Sequence, residues 1–337
     1  MKKLRIATFG ALVVASLLAA PVASAEQNEL RIAKQYGLGY LQMMVLEDQK
    51  LVEKHATAAG LGDVAVTWMT FRSSDVMNDA IISGNVDFVS LGVPGLAVIW
   101  SKTRGTASEV KAASGMNLLP LALMTRNPDV KSLKDFGPKD KIAVPAIKIS
   151  TQAILLHMAV AKEFGAENYK KLDPITVSMR HPDALTAILS PASEITSHFA
   201  SQPFIAMEAA NPNIRRLMSS TEILGGPLSF NVLATSTRFH TGNPKLYKAF
   251  MTAFAEATDW INANKRPAAE LYLRVSKDKS SVDDVLKIVA ADDTSYTMDP
   301  KGLMPVVDFM KKSGAIKVAP ASWKDMFFSD AHAMPGS

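Results

Sequence analysis

The chain contains no cysteine in 337 residues. That excludes disulfide staples, thiol nucleophiles, cysteine-type zinc sites and iron–sulfur clusters. It also excludes lipid attachment through an N-terminal cysteine. A chain of this length can bury enough apolar surface to hold together without crosslinks. Histidine is scarce, and His55, His157, His181, His198, His240 and His332 show no pair at metal-ligand spacing. A Gly-x-Ser-x-Gly elbow, a Walker loop and a dinucleotide fingerprint are all missing. Asp283-Asp284 and Asp292-Asp293 lack the alternating oxygen ligands and central glycine of a calcium loop. The sequence therefore nominates no catalytic pair, no metal and no cofactor, and the expectation is a binding protein and not an enzyme.

Long apolar runs are lacking too. The N-terminal stretch Ile6–Ala20 falls short of the ~18 residues a membrane span requires, and Pro21 ends it. Lys2, Lys3 and Arg5 precede it and Ala23-Ser24-Ala25 follows, so residues 1–25 read as a cleaved signal peptide with export to the periplasm. The formal net charge of +5 owes three cations to that segment, so nucleic acid is not an expected partner. Residues 26–337 exceed a typical domain of ~100–150 residues, which predicts two lobes.

What is present alternates strand and helix. Leu30–Lys34 reads as a strand, Leu41–Lys54 as a helix, Val64–Phe71 as a strand, Asp75–Ser83 as a helix stopped by Gly84, and Val86–Leu91 as a strand. After the apolar stretch Leu118–Thr125 and the turn Arg126-Asn127-Pro128, a second series begins. It comprises strand Lys141–Val144, helix Thr151–Phe164 with Gly165 as its stop, strand Ile175–Met179 and helix Pro182–Leu189. Ser229–Thr235 is strand-like, and the chain from Pro244 to Phe328 is mainly helical. The pattern predicts an α/β fold with largely parallel sheets.

In such sheets ligands bind where strands lead into helix N-termini, whose free N–H groups attract oxygen-rich anions. Ser150, Thr151 and Gln152 open a helix there, with Lys148 nearby, although Ser150 also suits a simple N-cap. Gln35, Tyr36 and Gly37 follow the first strand, with Gly39 and Tyr40 beyond; an ordinary glycine turn fits them equally. Arg72 and Ser73 follow the second strand, the guanidinium matching a carboxylate or sulfonate. Ser90, Gly92 and Val93 follow the third, and His198 with Phe199 stands after a loop in the middle segment.

Ser83–Phe88 with Gly92-Val93-Pro94, Ser132–Gly137 leading to Lys141–Val144, Asn243–Leu246 with Ala249-Phe250, and Ile316–Phe328 carry a resemblance. Through them the chain resembles the nitrate/sulfonate/taurine-type (SsuA- and TauA-like) periplasmic substrate-binding proteins of ABC importers. The resemblance implies the type II periplasmic-binding-protein fold, two α/β lobes joined by a two-strand hinge. It places lobe I at 26–122 plus 232–337, an inserted lobe II at 123–231, and the crossings near Leu121–Thr125 and Phe230–Thr235. It further implies a small anionic solute held by the loop residues named above, ABC permease subunits as partners, and a monomer. One departure is the link Pro145–Ile149, where relatives have a shorter, small-residue connection. Two alternatives stay open: a neutral or aromatic solute such as a pyrimidine thiamin precursor, stacked by Tyr36, Tyr40 and Phe199, and a periplasmic solute sensor.

Overall fold

The computed structural model describes residues 26–337; the segment read as a signal peptide, residues 1–25, lies outside the described residues. Among the described residues eleven strands form two sheets. In chain order they are β1 (Glu29–Lys34), β2 (Ala65–Thr70), β3 (Phe88–Gly92), β4 (Val110–Leu118), β5 (Ala122–Thr125), β6 (Ile142–Val144), β7 (Thr176–Ser178), β8 (Ser197–Ala200), β9 (Arg215–Ser219), β10 (Ser229–Ser236) and β11 (Ser295–Tyr296). The first sheet has the order β11-β4-β10-β3-β1-β2 and the second β7-β6-β8-β5-β9.

Each sheet is mixed. β1 is parallel to β2 and β3, while β10 returns antiparallel between β3 and β4. In the second sheet β6 is parallel to β7 and β8, and β5 runs antiparallel between β8 and β9. The central strands β3, β5, β6 and β8 are buried throughout, as expected where helices cover both faces. Edge strand β2 is partly exposed along its length. Two polar residues of the first sheet's buried strands bond to neighbouring backbone: the Ser90 hydroxyl donates to the Ala33 carbonyl at 2.8 Å and the Thr235 hydroxyl to the Asp87 carbonyl at 2.6 Å.

The large core spreads from the first sheet to the inner face of the second, where Phe199 and the helix Thr151–Phe164 contribute. A smaller cluster, including Ala184, Ile188, Ala200 and Phe204, fills the other face of the second sheet; Tyr36, from the first lobe, packs on it. Among the described residues no helix is long and apolar enough to cross a membrane.

Three readings need correction. The helix expected over Leu41–Lys54 is two helices, Leu41–Asp48 and Leu51–Ala58, because Lys50 adopts a left-handed conformation with φ 50°. The passages between sheets run through residues 119–121 and 220–228; Ala122–Thr125 lies wholly in the second sheet and Phe230–Thr235 wholly in the first. The sheets, expected to be largely parallel, are mixed, and His198-Phe199, after the loop 190–196, lies within β8.

Candidate functional site

Four helices start where the lobes face each other. They are Ser74–Ile82 after β2, Val93–Thr103 after β3, Thr151–Phe164 after β6 and His181–Leu189 after β7. Ser74, Gly92, Thr151 and His181, each at or beside the start of its helix, line one small pocket between the lobes. The first turn of a helix leaves backbone N–H groups without partners in the helix and carries the positive end of its dipole. The pocket lining contains no carboxylate, lysine or arginine. Its free volume is about 10 Å³, room for roughly one water.

The second lobe supplies side chains to this pocket. Ser150 caps its helix, accepting from the Ala153 N–H at 3.2 Å while its hydroxyl donates to the Ala146 carbonyl at 2.7 Å. That uses Ser150 inside its own lobe, and the link Pro145–Ile149 is folded tightly enough to allow it. Thr151, the next residue, is 2 % exposed and its hydroxyl oxygen has no hydrogen-bond partner. It faces Gly92 across the cleft, where a Cβ on Gly92 would stand 2.2 Å from Thr151 Oγ1. Only a residue without a side chain lets the two lobes come this close.

Behind the pocket a polar file continues into the second lobe. The Gln152 amide nitrogen stands 3.1 Å from His181 Nε2, His181 Nδ1 2.7 Å from His198 Nε2, and His198 Nδ1 2.5 Å from Glu208 Oε1. Burial drives both imidazoles toward the neutral form, His181 well below its ordinary value with the neighbouring His198 adding to the effect, and His198 down to about 3. Burial likewise pushes the Glu208 carboxyl up to about 9. Among the described residues no such cluster has metal-holding geometry.

The first lobe supplies a loop held by its backbone. Gly37 has φ 96°, and a Cβ there would meet the Gln202 carbonyl oxygen at 2.8 Å. The Leu38 N–H donates to that same Gln202 carbonyl across the cleft at 3.0 Å. The Gly39 carbonyl accepts from Asn117 at 2.7 Å and from Asn231 at 3.0 Å. Tyr40 donates to Asn231 Oδ1 at 3.3 Å, and burial raises its phenol well above the ordinary range, so it stays a neutral donor.

A wider cavity of about 410 Å³ opens beside the small pocket, and Gln35 borders both. Met44, Pro182, Leu185, Phe204 and Met207 make its walls largely apolar. Lys34, Lys277, Asp278 and Lys279 also line it, Lys34 being paired with Glu47.

Of the residues the sequence nominated, the structure brings Gln35, Gly92, Ser150, Thr151 and Gln152 to the small pocket, and Tyr36 and Gly37 to the wider cavity. Others lie elsewhere. Arg72 is 64 % exposed at its side chain and stands 3.9 Å from Asp75, lining neither cavity. Ser73 is buried with its hydroxyl on Asp75, and its neighbour Ser74 lines the pocket instead. Ser90 is used by β1 and Val93 belongs to the core. Side-chain alternation along β8 turns Phe199 into the large core and His198 toward His181, one layer behind the lining. Lys148 is exposed and borders a different cavity. Sequence reasoning missed Tyr40's tie to Asn231, Phe230 and Asn231 of β10, and the file through His181 and Glu208. None of these carries a local pattern, since His181, His198 and Glu208 meet only because helices pack on β8.

No family model and no curated protein matches the chain. Solved structures do. The alkanesulfonate-binding protein SsuA of Xanthomonas axonopodis pv. citri, bound to MOPS, superposes with TM-score 0.66 at 15% identity, covering 87% of this chain and 96% of that one. A Candida albicans protein with the generic periplasmic binding protein fold gives TM-score 0.63 at 14% identity, over 92% of this chain and 99% of that one. The nitrate-binding protein NrtA of Synechocystis PCC 6803 gives TM-score 0.60 at 13% identity, over 80% and 74%. With two mixed α/β sheets, two passages between them and helix starts gathered in the cleft, the chain has the periplasmic-binding-protein fold.

Proposed function

We propose that this chain is the periplasmic solute-binding component of an ABC importer, a two-lobed clamp that captures a small anionic solute and presents it to membrane permease subunits. The observation that carries the reading is the convergence of four helix N-termini on a pocket free of carboxylates, with the unpartnered Thr151 hydroxyl among them. Helix N–H groups and hydroxyls can replace the hydration of an anionic head without a formal countercharge. The wider apolar cavity next to it suits the remainder of an organic anion, such as a sulfonate or carboxylate. The pocket as closed holds about one water, so the head group enters when Thr151 and Gly92 separate and the lobes then close upon it. Lobe I would comprise the chain before the passage at 119–121 and after the passage at 220–228, and lobe II the residues between the two passages.

A thermal-shift panel on the chain from Glu26 onward tests this. Ethanesulfonate, taurine, nitrate and small carboxylates at millimolar concentration are set against a neutral aminopyrimidine. Binding to the folded state raises the midpoint by mass action. The expected result is stabilisation by one organic anion class; stabilisation by the pyrimidine alone, or by no anion, would overturn the anionic reading.

A further inference from the structure

Gln152, His181, His198 and Glu208 run inward from the pocket as a single hydrogen-bonded file, with successive contacts of 3.1, 2.7 and 2.5 Å. A neutral imidazole has one N–H and one bare nitrogen. The file therefore has a direction: fix the proton at one end and every donor after it is fixed. With Glu208 ionised, His198 donates from Nδ1 to the carboxylate, His181 donates from Nδ1 to His198, and His181 Nε2 accepts from the Gln152 NH2. The amide carbonyl then faces the pocket. With one proton more, the Glu208 O–H donates to His198 Nδ1, both rings carry their proton on Nε2, and His181 donates to the Gln152 carbonyl. The amide NH2 then faces the pocket. An amide's nitrogen and oxygen are distinguished by such partners and by little else.

We propose that the file carries this additional proton, which makes Glu208 a positioning residue that turns Gln152 into a donor toward the solute. The proposal rests on the anionic reading for what Gln152 faces, and on the file alone for the proton. Glu208 is fully buried, and its second carboxyl oxygen has no hydrogen-bond partner. An ionised carboxylate there would leave a buried charge uncompensated, whereas a carboxylic acid leaves only a weak acceptor bare. Burial pushing Glu208 up to about 9 points the same way.

The surrounding charges are engaged elsewhere. On the His181 helix, Asp183 pairs with Arg180 at the surface. On β9, Arg215 donates to the carbonyls of Asn127 and Val130, and Arg216 pairs with Glu222. His157, on the helix across β8, bonds Asp173 at 2.6 Å, and β5 has no titratable residue. Moving the additional proton from Glu208 to His198 as an ion pair leaves both Nε2 protons in place, so the consequence for Gln152 is the same.

Loss of the proton at alkaline pH balances simply. His181 gives its Nε2 proton to solvent through the pocket, the His198 Nε2 proton crosses to His181 Nδ1, and the Glu208 proton crosses to His198 Nδ1. Gln152 then turns its carbonyl to the pocket, where it repels an anion. By reciprocity, a bound anion holds the proton to higher pH.

Nitrogen-15 spectra of histidine-labelled, ligand-free protein read the tautomers directly from pH 6 to 10. The expected result is Nε2–H on both His181 and His198 at pH 7, passing to Nδ1–H as the pH rises. In Glu208→Gln, whose amide N–H replaces the acid proton, Nε2–H should persist at every pH. Nδ1–H at pH 7, or a passage unchanged by E208Q, would overturn the proposal; the wild-type titration alone decides it if the variant fails to fold. Ethanesulfonate affinity, measured by calorimetry on the same samples, should fall about tenfold per pH unit above the passage in wild type and stay level in E208Q. Expected tautomers with no anion bound at any pH would defeat the anionic reading and uphold the file.

Discussion

Around the polar pocket the first lobe offers groups already engaged, and the second offers groups held in readiness. Tyr40 and Asn231 bond within the first lobe, as does Ser90 outside the pocket lining, and that lobe's glycines bring bare backbone to the cleft. Thr151 of the second lobe keeps a buried hydroxyl without a partner, and Gln152 is bonded only through a file that can reverse. A buried polar atom left unbonded costs about 1–3 kcal/mol. A solute that bonds it recovers that cost. The first lobe sets shape, and the second sets chemistry.

The largest effect expected from breaking that contrast comes from Gly92. Gly92→Ala places a Cβ 2.2 Å from Thr151 Oγ1 and 3.5 Å from Thr151 Cβ, so the hydroxyl is the obstacle. Overpacking of this kind costs about 1–3 kcal/mol, which should weaken solute binding by about 10- to 100-fold and leave the lobes further apart in solution scattering. Adding Thr151→Ala removes the oxygen and leaves ordinary contact. The double variant should scatter as the compact form again, although without the hydroxyl's own contribution to binding. If the double variant stays open, Gly92 acts through something other than this contact.

A pair of substitutions sharpens the comparison next. Thr151→Val removes an unpartnered hydroxyl at nearly constant shape, so thermal stability should hold or rise by about 1 kcal/mol while anion affinity falls about tenfold. Ser90→Ala removes a bond to the Ala33 carbonyl, so stability should fall by about 0.5–1.5 kcal/mol with affinity unchanged. Denaturant midpoints and calorimetry on both variants give the two-by-two result. Opposite signs in stability are the signature; losses of both kinds in both variants would erase the distinction between lobes.

The file through Glu208 gives a smaller, pH-dependent effect. Its folded-state carboxyl is raised from the ordinary 4.5 to about 9, so its stabilising term is complete below the ordinary value and is lost as pH rises toward 9. Glu208→Gln has no such proton to lose. Denaturant stability of the variant relative to wild type should be lowest near pH 4 and should rise toward pH 9, by at most about tenfold in folding constant per pH unit. Above the folded-state value the difference should stop rising. The neutral burial of His181 and His198 works in the other direction, lowering stability as pH falls below the ordinary imidazole value, and does so in both proteins. A flat difference between the two proteins would mean that Glu208 is ionised in the folded state.

How far the sequence could anticipate this follows from what each residue depends upon. Ser150-Thr151-Gln152 were legible because a strand, a capping serine and a helix are all local. Gly92 was legible as a turn, but its encounter with Thr151 required both lobes. β4, Val-Lys-Ala-Ala-Ser-Gly-Met-Asn-Leu, carries few β-formers and gave no strand signal; it is a strand because β10 and β11 pair with it, and Gly115 because the Asp299 carbonyl would stand 2.6 Å from a Cβ. The break at Lys50 had no glycine or proline to announce it. Glu208 stands on a short helix with no local pattern to mark it, and only the sheet beneath it reveals the histidines.

Arg72 makes the smallest and most discriminating prediction, because a cation near a strand end is the obvious partner for an anion. Its guanidinium is mostly solvated, 3.9 Å from Asp75, and outside both cavities. An exposed pair of this kind contributes about 0–1 kcal/mol and is screened by salt. Arg72→Ala should therefore leave anion affinity within about twofold at physiological ionic strength, with a slower association rate visible only at low salt. If affinity instead drops tenfold at high salt, the arginine swings into the cleft on closure. The second lobe would then share the head group's recognition with a charge from the first.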